Sequence, residues 1–194
     1  MTKIAEAVPL TTDKSVIEAN ALMATALAMQ IKLVGEIIQT YNERIEALFD
    51  TLPDANLFVS LPGMGPCMGP RMLAALSDNR NRFNSAEEIQ NYAGIAPVTE
   101  RSGQKSWRHW RWQCAKFVRQ TFVEWAAKTV NSSYWAKLYY QRQREKGKSH
   151  QSSIRALAFK WIRIIYRCWK SRTRYDEAKY LLALKARNSP LLKP

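Results

Sequence analysis

Two stretches decide the fold: LFVSLPGMGP, Leu57 to Pro66, and YAGIAPVTERSGQKSWRHW, Tyr92 to Trp110. Both are punctuated by Gly and Pro. The first predicts a short helix, a Gly-x-Gly turn and a second helix running through Leu76. Gly63 and Gly65 permit the tight turn and a close backbone approach. Pro66 fits a first helical turn, where an N–H has no partner anyway, and Pro70 either resets that helix start or kinks it. Amides at such a helix start suit a DNA phosphate, which makes Gly63 and Gly65 candidate contacts. The second stretch predicts a helix stopped by Gly94, a short extended or turn-like Ile95 to Thr99, and a polar loop from Glu100 to Gln104. Ser85 and Glu88 have capping-box spacing, and Phe83 is placed to pack back on Ile89. Ile89, Tyr92 and Ala93 are expected to bury against Leu73 and Leu76.

Upstream, residues 1–15 predict a flexible N-terminus in which Asp13 or Ser15 caps the next helix. Residues 16–52 predict a long helix. In it Leu27, Ile31, Val34, Ile38, Tyr41, Ile45 and Leu48 alternate spacings of four and three. That average of about 3.5 keeps one apolar seam in register with a partner helix, so the segment is expected to be a coiled-coil linker and an oligomerisation surface. An ordinary long helix packed on its own domain is the alternative.

Downstream, Trp110, Cys114, Phe117, Val118, Phe122 and Trp125 recur at helical spacing, as do Ile154, Leu157, Ala158, Trp161, Ile162, Ile165 and Trp169. A further helix is expected from Tyr134 to Glu145 and a last one from Glu177 to Ala186. Residues 53–187 form one helical domain on this reading, and 188–194 a loose tail. No segment has the alternating pattern of a half-buried strand. The expected class is all-α: a long N-terminal coiled-coil-like helix, then a compact helical domain with a helix-hairpin-helix-like element.

The chain carries 30 Lys+Arg against 16 Asp+Glu over 194 residues. From Arg101 to Arg174 there are 19 basic and 2 acidic residues, net +17, so the rest of the chain is net −3. All seven tryptophans fall between Trp107 and Trp169. Basic residues interleaved with aromatics can neutralise phosphates and stack on bases. Arg101, Lys105, Arg108, Arg111, Lys116, Arg119, Lys146 and Lys148 are the candidate nucleic-acid contacts. Most of the tryptophans suit a core; Trp107 and Trp112 are better placed for exposed contact.

Cys67, Cys114 and Cys168 are far apart and the two histidines are isolated, which disfavours a disulfide framework or a zinc site. Free thiols suit a reducing cytoplasm. No uninterrupted apolar run reaches the roughly 18 residues of a membrane span, so a cytoplasmic protein with no membrane contact is expected.

Ser102, in Arg101-Ser102-Gly103, is the candidate for chemistry. A serine hydroxyl needs activation to act as a nucleophile. Arg101, Lys105 and Arg108 can stabilise charge on a phosphate under attack, and His109 and Glu100 are conceivable bases. By spacing alone Ser102 reads as an exposed loop serine.

LPGMGP, NRFNSAEEIQNYAGIAP, ERSGQK and YYQRQREKGKSHQSSIRALAFKWIRIIYRCW, in that order, resemble the C-terminal domain of insertion-sequence transposases of the Piv invertase type, the IS110/IS116/IS902 family. The resemblance implies a DNA recombinase in which Ser102 attacks a DNA phosphodiester. It implies partnership with a RuvC-like domain whose acidic residues bind Mg²⁺, with DNA, and in some members with a structured guide RNA. It also implies a coiled coil over Leu27 to Leu48. The match begins at the coiled coil, with only Glu6 and Asp13 as acidic residues before Val16. The expectation is therefore a truncated or split element: no cofactor in this chain, Mg²⁺ only with a RuvC-like domain supplied in trans, and no complete recombination by this chain alone. The competing expectation is a non-catalytic nucleic-acid-binding, dimerising module or remnant.

Overall fold

The computed structural model describes residue 3 and residues 6–192. The expectations for the first residues and the end of the tail therefore lie partly outside the described residues. The described chain is mostly helical. Its elements are α1 (Lys14–Asp50), α2 (Ala55–Val59), α3 (Met68–Leu76), α4 (Ala86–Tyr92), β1 (Val98–Ser102), β2 (Lys105–His109), α5 (Lys116–Ser132), α6 (Tyr134–Glu145), α7 (His150–Ser171) and α8 (Glu177–Ala186), with a 3-10 turn at Pro190–Leu192. It divides into two units, Met1–Ala47 and Leu48–Pro194.

The first unit is carried by α1. Asp13 caps it: the Asp13 carboxylate accepts from the amides of Ser15 at 2.9 Å and Val16 at 3.4 Å, satisfying donors that the first turn leaves free. The seam residues Leu27, Ile31, Val34, Ile38, Tyr41, Ile45 and Leu48 are all exposed. Lys32 and Glu36 form an i,i+4 pair at 3.9 Å beside them. By length and composition, α1 is apolar enough to cross a membrane. Its uncharged run is only the 13 residues between Glu18 and Lys32, so the apolar character lies in the average and not in an unbroken stretch.

The second unit is built on tryptophan. Trp125, Trp135, Trp161 and Trp169 are fully buried. Burying an indole is favourable only if its N–H finds an acceptor, and each one does. Trp125 donates to the Pro62 carbonyl at 2.9 Å, Trp135 to the Tyr175 hydroxyl at 2.8 Å, Trp161 to Thr129 Oγ1 at 2.8 Å and Trp169 to the Ser77 carbonyl at 2.8 Å. Trp161 also sits 4.8 Å from Trp125 and 4.5 Å from Trp135, ring centre to ring centre. These bonds tie the loops at Pro62, Ser77 and Tyr175 to the bundle of α5, α6 and α7.

α5 and α7 run side by side in the same direction. Trp161 of α7 meets both Trp125 and Thr129 of α5, while nearer the helix starts Arg119 of α5 and Arg155 of α7 flank one ring, that of Trp110. The N-terminal ends of both helices therefore share one end of the unit. The start of α6 is capped from a distance: the Glu177 carboxylate accepts from the Tyr134 amide at 2.7 Å and the Ser133 hydroxyl at 3.0 Å.

Several expectations need correction. The polar loop Glu100 to Gln104 is part of an antiparallel hairpin, β1 with β2. It has no buried face, since all of β2 and four of the five β1 residues are exposed, so there was no apolar alternation to detect. The stripe beginning at Trp110 is not one helix, because α5 starts only at Lys116, and Phe117 on it is exposed. Pro70 neither resets nor kinks its helix: it is the third residue of α3, where the N–H it lacks would have had no intrahelical partner. α4 packs on α7, and Ile89 and Ala93 are buried in the same core as Leu76, with Leu73 against it. Gln90 donates to the Phe159 carbonyl at 2.8 Å and Tyr92 stays exposed. Within the tail, Leu191 is buried.

The Ser85 cap is as expected: its hydroxyl accepts from the Glu88 amide at 3.2 Å. The returning bond from Glu88 reaches the Asn84 amide, at 2.8 Å. Gly94, with φ +63°, ends α4, and the Ile95 amide reaches back to the Gln90 carbonyl at 2.9 Å, the closing bond of a Schellman motif. An added Cβ at Gly94 would lie 2.7 Å from Cys114 Cβ and collide with Arg119. This glycine thus lets the segment leading into α5 pack against the end of α4.

Candidate functional site

Ser102 is the last residue of β1, and its cross-strand partner is Lys105, the first residue of β2. The connection is Gly103-Gln104 alone. Gly103 has φ +57° while Gln104 does not have a positive φ, the pattern of a type II′ turn with glycine at its first central position. The glycine after Ser102 is therefore a requirement of turn geometry. No atom lies near its missing Cβ, so backbone conformation alone selects it.

Side chains alternate along a strand. Glu100 and Ser102 of β1 consequently share a face with Lys105, Trp107 and His109 of β2, while Arg101 and Arg108 occupy the other face. On the Ser102 face, Glu100 Oε2 lies 3.2 Å from His109 Nε2. Both are well exposed, and Ser102 itself is exposed. Glu100 lies two residues along the strand from Ser102, about 7 Å, and His109, opposite Val98, about 13 Å, so Glu100 reaches Ser102 only through water and His109 acts only through Glu100.

The hairpin base is fastened by Trp110. Its ring centre is 4.5 Å from the guanidinium carbon of Arg119 and 4.3 Å from that of Arg155. Arg119 also donates to the carbonyls of Ala93 and Arg111, and Arg111 donates to Asn91 Oδ1 at 3.1 Å. Lys116, the first residue of α5, is exposed. Lys146 and Lys148 are exposed in the turn between α6 and α7, just before the α7 start. The structure thus gathers Arg111, Lys116, Arg119, Lys146 and Lys148 at one end of the unit, with Arg101, Lys105 and Arg108 on the hairpin that leaves it. Trp107 and Trp112 are exposed here as expected, and Trp112 is the more open. His150 is the first residue of α7, and its Nδ1 lies 2.8 Å from the Tyr140 hydroxyl.

Gly63 and Gly65 stand elsewhere. A Cβ on Gly63 would come 3.0 Å from Ser132 Oγ and 3.4 Å from Lys128 Cβ, at the C-terminal end of α5. From Lys116 to Lys128 a helix rises about 18 Å, so this turn and the hairpin base are separate places. The Gly65 carbonyl also accepts from the Met68 and Gly69 amides, at 3.0 and 3.1 Å, which leaves fewer bare amides there than the turn alone suggests. Gly69 was not singled out in the sequence. A Cβ on it would fall 2.9 Å from the Phe49 ring.

Arg155 was also missed. Helical periodicity assigns it to the flank of α7, and nothing local signals that it meets Trp110, 45 positions away. Burial lowers the proton affinity of its guanidinium, and the neighbouring Arg119 lowers it further. Glu124 is held below the ordinary carboxylate range, first by the Gln120 amide and then by Arg71, 2.6 Å away. Among the described residues, no group of three or more His, Cys, Asp or Glu side chains is placed to hold a metal ion.

Residues 55–141 match the family model described as Transposase IS116/IS110/IS902 family. The chain is 32% identical over 135 residues to the mini-circle putative transposase for IS117 of Streptomyces coelicolor, covering 70% of this chain and 33% of that protein. It is 27% identical over 169 residues to the insertion element IS900 uncharacterized 42 kDa protein of Mycobacterium paratuberculosis, covering 84% and 42%. To the insertion element IS110 uncharacterized 43.6 kDa protein of Streptomyces coelicolor it is 27% identical over 157 residues, covering 80% and 38%. The chain thus spans between a third and about two-fifths of these relatives. The matched segment contains the Gly-rich turn, the hairpin with Ser102, and α5, and it places the chain in the IS116/IS110/IS902 family of transposases.

Proposed function

We propose that this chain is the DNA-handling, C-terminal part of a transposase and that Ser102 is its nucleophile. The observation that carries the reading is the position of Ser102: exposed at a hairpin tip, opposite a lysine, on an arm whose base is ringed with arginine and lysine. In the proposed step Ser102 Oγ bonds to the phosphorus of a DNA phosphodiester and the P–O bond to the leaving 3′ oxygen breaks. The Oγ proton passes through water to the Glu100–His109 pair, and the leaving oxygen takes a proton from solvent. Lys105 stabilises the extra negative charge on the phosphoryl oxygens, a role cations fill in phosphoryl transfer.

The described residues do not fit a Mg²⁺ site, and no step here runs through the metal. We assign Mg²⁺ to a RuvC-like domain outside these residues, acting with this one, and guide-RNA binding belongs to the same proposal. The exposed seam of α1 is read as a coiled coil between copies of the chain, in a cytoplasmic protein. The Lys32–Glu36 pair and the seam spacing favour this over a membrane span. A second reading, a DNA-binding module without catalysis, is favoured by one observation: among the described residues no base forms a direct hydrogen bond with Ser102.

Strand exchange on supercoiled donor DNA with Mg²⁺ and cognate RNA tests the assignment. The 194-residue chain should be inactive alone and active once a RuvC-like domain is added. Efficient exchange by the chain alone contradicts it.

A further inference from the structure

The Trp110 cluster has more positive charge than an anchor needs. A single arginine over a tryptophan ring already supplies a cation–π attraction that holds the ring in place. Here two do so, from different helices, and their charges repel one another. Among the described residues neither Arg119 nor Arg155 forms an ion pair with a carboxylate. Arg119 also bonds the backbone carbonyl of a third arginine, Arg111, whose guanidinium donates to Asn91 Oδ1 and whose Nε is buried with no partner. Charge that is partly withdrawn from water and left uncompensated is costly. An anion seated among the three would offset that cost.

Resting on the proposed DNA-handling role, we propose that Arg111, Arg119 and Arg155 around Trp110 form a phosphate-binding site that grips one phosphodiester of the strand lying along the hairpin. From Lys105, opposite Ser102, to Trp110 the extended chain covers about 17 Å. With the hairpin lying along the axis of a duplex, which rises roughly 3.4 Å per nucleotide of each strand, the gripped phosphate lies about five nucleotides from the one Ser102 attacks. The site therefore sets the register of the strand relative to the hairpin tip.

The test uses the full chain as wild type, Arg155→Gln and Arg155→Lys, with circular dichroism confirming that each is folded. DNA affinity is measured against salt concentration, and the arginine Nε–H resonances are followed while inorganic phosphate is added. Where wild type binds DNA, the salt dependence decides. The proposal expects the slope of log affinity against log salt to fall by about 1 in Arg155→Gln and to be retained in Arg155→Lys; an unchanged slope in Arg155→Gln overturns it. Where wild type does not bind DNA, the DNA-handling reading fails and the phosphate titration decides. Shifts at Arg111, Arg119 and Arg155 that vanish in Arg155→Gln uphold the site as a phosphate site, and their absence in wild type overturns it.

Discussion

Ser102 and Lys105 face each other across the closing pair of a hairpin whose whole connection is Gly103-Gln104. This fixes a cation opposite a hydroxyl on the same face of two strands. It also makes the pairing depend on one backbone angle, the positive φ of Gly103.

Replacing Gly103 by Val should therefore loosen the tip without touching the core. A branched residue at positive φ costs on the order of 1–3 kcal/mol, enough to disrupt a hairpin with no buried face. Nuclear Overhauser contacts between Arg101 and Ser106 should weaken, while the global melting temperature changes little. Intact contacts would show that the turn does not set the register.

The tryptophan core makes a sharper stability prediction. Thr129→Val keeps the side-chain shape but removes the acceptor of the Trp161 indole N–H. A buried donor left unpaired costs about 1–3 kcal/mol. Urea unfolding should show a loss in that range, while Ser132→Ala, on an exposed position of the same helix, should show much less.

Glu124 gives a pH signature. Gln120 and Arg71 hold its folded pKa below the ordinary value, so its stabilising effect is fully present above the unfolded carboxylate pKa. That effect is lost as pH falls through the lower folded pKa. The carboxylate is part exposed and solvent screens it, so Glu124→Gln should cost about 0.5 kcal/mol at neutral pH. The gap from wild type should close on acidification below the ordinary carboxylate range. A gap that persists in acid would assign the effect to packing.

Elements with a buried face were legible in the sequence because burial leaves a period. The Ile154 to Trp169 stripe named most of the α7 core, and the Ser85 cap was visible from spacing. The hairpin left no such trace, since Val98 to His109 buries no face. The signal available was Gly103-Gln104 between two five-residue runs containing Val, Thr and Trp, a two-residue connection. Ser102 was found by resemblance, and its setting was not. The Arg119–Trp110–Arg155 cluster brings Arg155 to two residues 36 and 45 positions away, which no local pattern encodes.

The α1 seam predicts association. If it pairs copies of the chain, Ile31→Glu with Ile38→Glu should shift sedimentation equilibrium toward monomer, because a charge at a seam position loses its apolar contact. A wild type that is already monomeric at micromolar concentration would contradict the coiled coil.

The central claim is the role of Ser102, and the direct measurement is its covalent capture. Chain and RuvC-like domain are incubated with nicked donor DNA and Mg²⁺, denatured, and digested, and the DNA-linked peptide is identified by mass spectrometry. The prediction is a phosphate ester on Ser102, absent in Ser102→Ala although that variant binds DNA as tightly as wild type. An adduct that persists in Ser102→Ala, or maps to another residue, would contradict it.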